Sequence, residues 1–348
     1  MPVLPNALER LFLRSRRAPS IIVDVVGAGA LRAAAAGVRF GVFDALRAGP
    51  RTASEVAHSI GASETGTGAL LEGLVALGFL RKKSERYSNS PGTAAWLTQA
   101  SPTNWATVAR WWEELVFRYW DEHLEESIRR GAPLVTIYEW LNGVPDGWRI
   151  AQRAFAAYAR PIADLIASKV PVPANARSLV DVGGGHGLYA IAFCRRYPHL
   201  TAAIVDLPEA LEEARENIVA EGMRTRFELR AADVVHQDLG TGYDVALLFA
   251  IVHGFVPSQN LALLRNVAKA LNPGGLVAIL DQDPETAFGP VARAFVGTLG
   301  LTYFAGLGGR IYPFPEIARW LRETGFGDVR RIRIRRALSA LILATKSE

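Results

Sequence analysis

The sequence predicts an α/β fold: a mostly parallel sheet, covered on both faces by helices and ending antiparallel, behind an all-helical, winged-helix N-terminal region. Three observations carry this. After residue 173, short apolar runs such as SLVDV, AAIVD and DVALLF alternate with amphipathic segments, the signature of a parallel sheet buried on both sides. The last two apolar runs, DVRRIRIR and SALILATK, have no helix between them, so they pair antiparallel. Near the N-terminus, helical segments lead into a short charged hairpin, the order of a winged helix.

Taken in order, residues 28–47 are Ala-rich with apolar residues at helical spacing, and Gly49-Pro50 stops them. Thr52 followed by Glu55 reads as a capping box. A further helix from Glu64 ends at Gly78, and RKKSERYSNS (81–90) is the hairpin. Residues 103–168 read as helical, and seven of the eight Trp fall between Trp96 and Trp148, which asks for a helical core or an aromatic-lined pocket there. Pro171 and Pro173 punctuate the chain. The expected division is 1–100, the winged-helix region; 101–172, a helical linker; and 173–348, the α/β region.

The chain of 348 residues is 50% hydrophobic and 21% charged, an ordinary globular balance that excludes disorder and collagen-like repeats. Its net charge of +5 is spread out except near the C-terminus, a weak argument for a polyanionic partner. One cysteine, Cys194, permits no intrachain disulfide and no multi-cysteine zinc site. The longest apolar stretches are expected to fall short of a bilayer span, broken by charge, and Glu9, Arg10 and Arg14 stand where a signal peptide is apolar. The expectation is a cytoplasmic protein with no membrane partner.

Leu179 to Val182 is an apolar strand running into Gly183-Gly184-Gly185-His186-Gly187, with a helix opening at Leu188. Glycines there let the backbone turn and approach a ligand. Asp206, 21 residues after Gly185, ends the next strand, where a carboxylate accepts bonds from both hydroxyls of a ribose. The loop is GxGxG rather than GxGxxG; Asp181 precedes it and Asp233 ends the third strand. Together these favour S-adenosyl-L-methionine over a dinucleotide: there is an ammonium and an adenine amine to accept from, and no diphosphate to cradle.

With LVDVGGGHG, IVDLP (204–208), the AAD ending at Asp233, the strand-end His of FAIVHGF, LNPGG and the Gly-Phe of ETGF, the chain resembles the S-adenosylmethionine-dependent O-methyltransferases of the caffeate and hydroxyindole type. The resemblance runs over about residues 28–345. It implies a Rossmann-like class I methyltransferase sheet with a winged-helix dimerisation domain, and hence a homodimer. It also implies that Gly183 and Gly185 hold the methionine end, Asp206 with Leu207 the ribose, Asp233 with Val234 the adenine edge, and Phe249 the side of the cofactor.

His253 ends the fourth strand, at the edge where open parallel sheets bind ligands, and an imidazole can take a phenol proton as a methyl group moves. In the resembled family that histidine is followed by Asp and helped by two further acids. Here Gly254 replaces the Asp, Asp281 falls where one family Glu would be, and Ile311 takes the place of the other. Asp281 is expected to orient one ring nitrogen, with Asp283 or Glu316 left to supply a second contact. The activity expected is O-methylation of a phenolic or polyketide-like aromatic acceptor. The alternative is a relative with the same cofactor doing C- or N-methylation or chemistry without methyl transfer. A DNA-binding regulator is disfavoured: the helix from Glu64 has two Glu and no Lys or Arg, while a groove-reading helix needs cations near phosphates. Asp281 and Asp283 without clustered His do not make a metal site. The arginines at 330, 331, 333, 335 and 336 alternate with Ile332 and Ile334, as on a strand with one solvated face.

Overall fold

The computed structural model describes residues 21–101 and 103–347. The chain divides into two compact units that part between Phe117 and Arg118. In the first, α1 (Ile21–Arg39), α2 (Val42–Ala45), α3 (Ala53–Ile60) and α4 (Glu64–Ala76) precede a hairpin of β1 (Leu80–Lys83) and β2 (Arg86–Asn89). After it come α5 (Pro91–Trp96), α6 (Ala106–Arg110) and a π-helical turn, Trp111–Val116. The capping box forms: Glu55 N–H donates to Thr52 Oγ1 and Thr52 N–H donates to the Glu55 carboxylate. The hairpin pairs Leu80 with Asn89 through Lys83 with Arg86. Phe43, Leu71 and Leu74 are fully buried with Val42, Val56, Leu80 and Tyr87 around them; each large apolar side chain so buried contributes about 1.5–3 kcal/mol.

Two expectations are corrected here. The helix expected over 28–47 is two helices, because Gly41 at φ 74° turns the chain between α1 and α2, and α1 already runs from Ile21. By length and a mean hydropathy of 1.7, α1 is also apolar enough to cross a membrane: Asp24 and Arg32 interrupt its apolar run without lowering the mean far enough. Its Ala30, Ala34, Ala35 and Gly37 are buried, Ile21, Ile22 and Val25 are exposed, and Arg39 pairs with Glu113 at 2.6 Å and Glu114 at 3.1 Å. The expectations placed on Glu9, Arg10 and Arg14 lie outside the described residues.

The second unit opens with helices α7 (Phe117–Arg130), α8 (Ile137–Leu141), α9 (Gly147–Ala159) and α10 (Ala163–Lys169). The α/β part follows as β3 (Ser178–Val182), α11 (Leu188–Arg196), β4 (Thr201–Asp206), α12 (Leu211–Ala220), β5 (Phe227–Ala231), β6 (Tyr243–Phe249), α13 (Pro257–Ala270), β7 (Leu271–Gln282), α14 (Gly289–Leu307), α15 (Phe314–Glu323), β8 (Phe326–Ile334) and β9 (Ser339–Lys346). The sheet order is β5-β4-β3-β6-β7-β9-β8. β5 through β7 are parallel, and β9 slots between β7 and β8 antiparallel to both, so the sheet ends as the helix-free last connection predicts.

Alternate residues of each strand face opposite cores. On β6, Val245, Leu247 and Phe249 enter the layer with α10 and α11, while Ala246 and Leu248 enter the layer with α13 and α15. The first connection, β3 to β4, leads toward one edge, and β6 lies on the other side of β3. The reversal of strand order leaves a crevice at the carboxyl ends of β3 and β6.

The seven clustered tryptophans are divided between the two units. Trp96, Trp105, Trp111 and Trp112 belong to the first unit, with Trp111 and Trp112 buried on the π-helical turn. In the second unit, Trp140 donates to Glu122 at 2.7 Å, and Trp148 stacks on Tyr138 at 5.4 Å.

Candidate active site

Two groups of polar side chains stand at the carboxyl edge of the sheet. The first surrounds the glycine loop. Gly183 and Gly185 have φ of 68° and 42°, where a side chain is strained. A methyl group at Gly183 would overlap Ile251, and one at Gly185 would come within 2.5 Å of Gln152 Oε1. Gly185 N–H donates to Asp206 Oδ2 at 2.8 Å, and Leu207 N–H donates to Asp206 Oδ1 at 2.7 Å. The loop's own backbone therefore aims the Asp206 carboxylate and leaves its remaining lone pairs for other donors.

Asp181 is 1% exposed, and its Oδ2 has no hydrogen-bond partner. Burial, and then the nearby Asp206, push its carboxyl up to about 7. Burial pushes Asp206 up to about 6 against the pull of the Leu207 and Gly185 N–H groups. Gln152, on α9, is also buried, with Oε1 unpartnered. Asp181 Oδ2 and Gln152 Oε1, buried without donors near the desolvated Asp206 carboxylate, are costly unless a ligand brings N–H, O–H or positive charge. S-adenosylmethionine, with an ammonium, a sulfonium and two ribose hydroxyls, fits that donor deficit. Asp181, Gln152 and Asp206 are the groups that would hold it.

The other sequence-selected residues stand differently. Asp233 is half exposed; Val235 N–H donates to its Oδ1 at 2.9 Å, and its Oδ2 meets His236 Nδ1 at 2.8 Å. Burial would raise its pKa, but these partners outweigh that and lower it. Val234 is buried in the core layer beside α13. Phe249 packs edge-on against Tyr189 at 5.0 Å and near Phe193, within the core of the sheet. His186 accepts from Leu188 N–H through Nδ1 at 3.1 Å, and burial followed by the Arg160 charge lowers it to about 4.

The second group lies past the end of β6. Asp281, the penultimate residue of β7, accepts from His253 twice: Nδ1–H to Oδ1 at 2.8 Å and the backbone N–H to Oδ2 at 3.0 Å. Gln282 N–H donates to the same Oδ1 at 2.8 Å. With the carboxylate on Nδ1, the lone pair of the neutral imidazole sits on Nε2. Both side chains are buried. His253 is placed there by a tight turn in which Ala250 takes φ 54°, its N–H donating to Leu280 O at 2.7 Å. Gly309 crosses so close that a methyl group on it would overlap the carbonyl oxygen of His253.

Neither acid expected to give His253 a second contact does so. Asp283 accepts from Glu285 N–H at 3.0 Å and faces Arg331 at 3.4 Å, while Glu316 is held by Arg310 at 2.9 Å. Both are committed to neighbours of their own. The ring of Tyr303, from α14, lies on the imidazole instead, with centroids 3.7 Å apart and planes at 18°. Sequence reading missed Tyr303, Gln152 and the Gly309 approach; only the Gly308-Gly309 pair left a visible signal. Among the described residues no three His, Cys, Asp or Glu gather as a metal site.

Comparison with known proteins gives this fold and site a family. Residues 165–297 match an O-methyltransferase domain and residues 29–99 an O-methyltransferase dimerisation domain. The chain is 31% identical to 3-hydroxy-5-methyl-1-naphthoate 3-O-methyltransferase of Streptomyces sahachiroi, over 90% of this chain and 91% of that one. It is 29% identical to the tetracenomycin polyketide synthesis 8-O-methyl transferase TcmO of Streptomyces glaucescens, over 86% and 88%. The structure of an O-methyltransferase family protein from Burkholderia thailandensis superposes with a TM-score of 0.79 at 25% identity, covering 99% of both chains. A cofactor-binding α/β sheet behind a dimerisation domain is the class these features define. The chain belongs to the S-adenosylmethionine-dependent O-methyltransferase family.

Proposed function

We propose that this enzyme methylates a hydroxyl on an aromatic, polyketide-type small molecule, with His253 as the general base. The observation that carries the reading is the buried His253–Asp281 pair at 2.8 Å, one ring nitrogen committed and the other free to take a proton. Relatives named for a hydroxynaphthoate and for a tetracenomycin polyketide support the acceptor class, as do the aromatic rings of Tyr138, Trp148 and Tyr303 in the second unit.

Bound S-adenosylmethionine supplies an electrophilic methyl group on a sulfonium. Asp206 would accept from the ribose, and Asp181 with Gln152 would accept at the methionine end. Asp233 with the Val234 backbone would border the adenine and Leu207 the ribose, while the Phe249 ring packs in the core. His253 Nε2 takes the acceptor's phenolic proton, and Asp281 holds the imidazolium that results. Beyond the proton transfer, this chain's part would be to position the acceptor hydroxyl beside His253, and positioning of that kind supplies much of the rate. The working form is a cytoplasmic homodimer, supported by the dimerisation domain and by the exposed Ile21, Ile22 and Val25 of α1; light scattering should give twice 37.8 kDa, and the mass of a single chain would refute it.

The test is turnover of 3-hydroxynaphthoate with labelled S-adenosylmethionine. His253→Ala should lower kcat by about 10²- to 10⁴-fold and leave S-adenosylhomocysteine affinity within about twofold, because the imidazole serves the acceptor. Asp281→Asn should cost nearly as much. Unchanged methylation in both variants would remove His253 from the reaction.

A further inference from the structure

Asp281 grips His253 along one edge only. Its two oxygens meet Nδ1 and the backbone N–H of the same residue, which holds the ring by one edge and touches neither of its faces. Gly254 carries no side chain, and Asp283 and Glu316 are committed elsewhere. Nevertheless the ring is closely held on its face: Tyr303 stacks on it at 3.7 Å and 18°. We infer that Tyr303 is the positioning residue of the base, its aromatic face fixing the plane of the His253 imidazole where a second carboxylate is missing. This deepens the assignment of His253 as the base and rests on it.

Three features support the role. Tyr303 is on α14, an element separate from the β6 turn and from β7, so the imidazole is located by three independent parts of the chain. Position 254 is not sterically closed: a methyl group there would meet only Leu307, at 3.4 Å. Gly254 thus contributes no side chain to the ring although there is space for one, and the stack holds it from another direction. Burial and the nearby Asp281 hold the Tyr303 phenol well above its ordinary range, so the ring stays neutral and does not compete for the acceptor's proton. The negative face of a neutral phenol also favours the imidazolium as it forms.

The experiment uses the full chain with S-adenosylhomocysteine bound and ¹³C,¹⁵N-histidine incorporated, the His253 ring signals being those missing in His253→Ala. In the parent protein the ring protons of His253 should lie upfield, shielded by the Tyr303 face. Tyr303→Phe should keep that shielding, and Tyr303→Leu should lose it. With 3-hydroxynaphthoate, Tyr303→Leu should lower kcat by about three- to tenfold with the KM for S-adenosylmethionine unchanged, and Tyr303→Phe should restore it. Unshielded His253 protons in the parent protein would overturn the inference, as would a Phe variant that behaves like the Leu variant or a Leu variant with parental kcat. Loss of shielding in Tyr303→Leu with full turnover in His253→Ala would instead keep the stack and sink the base assignment, so the two failures read differently.

Discussion

The two ends of the candidate site are built on opposite terms. Around the glycine loop, Asp181 Oδ2 and Gln152 Oε1 are buried without partners and two carboxyls are pushed up toward neutrality. Fifty residues on, His253 and Asp281 satisfy each other, Gly309 passes over them and Tyr303 covers the ring. The first end is short of donors and gains them only from a ligand; the second is complete in the chain alone. Substitutions at the cofactor end should therefore register as affinity, and those behind the base as stability and turnover.

The sharpest way to break this contrast is Gly185→Val. A branched side chain at φ 42° against Gln152 is strained and overpacked, and calorimetry should show S-adenosylhomocysteine binding weakened by about 100-fold or more. Asp206→Ala removes charge-assisted acceptors valued at about 1–3 kcal/mol, a loss of about 5- to 150-fold in the same titration. If both variants bound normally, the glycine loop would not be the cofactor site.

Behind the base, Gly309→Ala must move either its own loop or the His253 carbonyl, and overpacking of this kind costs about 1–3 kcal/mol. Gly254→Ala, with open space to within 3.4 Å, should cost no more than about 0.5 kcal/mol. Denaturant unfolding measures both, and equal losses would contradict the close approach.

The finest distinction is in pH. Asp181 and Asp206 hold protons in the folded chain up to about 7 and about 6, whereas unfolded aspartates release them near 4. Between those values the folded state binds more protons, so stability falls as pH rises. That contribution is fully present below about pH 4 and gone above about pH 7. The ligand-free enzyme should melt higher at pH 5.5 than at pH 8, with a smaller difference in Asp181→Asn and with S-adenosylhomocysteine bound. Parallel melting curves for the parent and Asp181→Asn would remove the carboxyl from the account.

What the sequence disclosed follows the reach of local forces. The glycine loop and Asp206 at the next strand end are legible because each is written into one strand-to-helix transition, whereas His253, expected to end the fourth strand, stands in a turn four residues after Phe249 closes β6. The antiparallel finish is legible because no helix separates DVRRIRIR from SALILATK. Tyr303 reaches His253 from fifty residues away, and Gln152 meets Gly185 from 33 residues before it; such meetings are made by packing, which no local pattern records. Asp283 and Glu316 looked eligible to support the base because charge alone does not show that Arg331 and Arg310 have already claimed them. The single helix expected over 28–47 ignored how little Gly41 costs in a left-handed turn.

Ala250 carries a consequence for how this enzyme tolerates change. It holds a left-handed conformation suited to glycine, three residues before the proposed base His253, and strain of that kind costs about 1–2 kcal/mol. A glycine there would relieve the steric conflict while loosening the unfolded chain and the turn alike. Alanine thus keeps the turn stiff at the expense of fold stability. Stabilising substitutions elsewhere would widen the margin without touching the chemistry, whereas one made at Ala250 trades rigidity beneath His253 for robustness, so a search for a hardier enzyme should start away from the β6 turn.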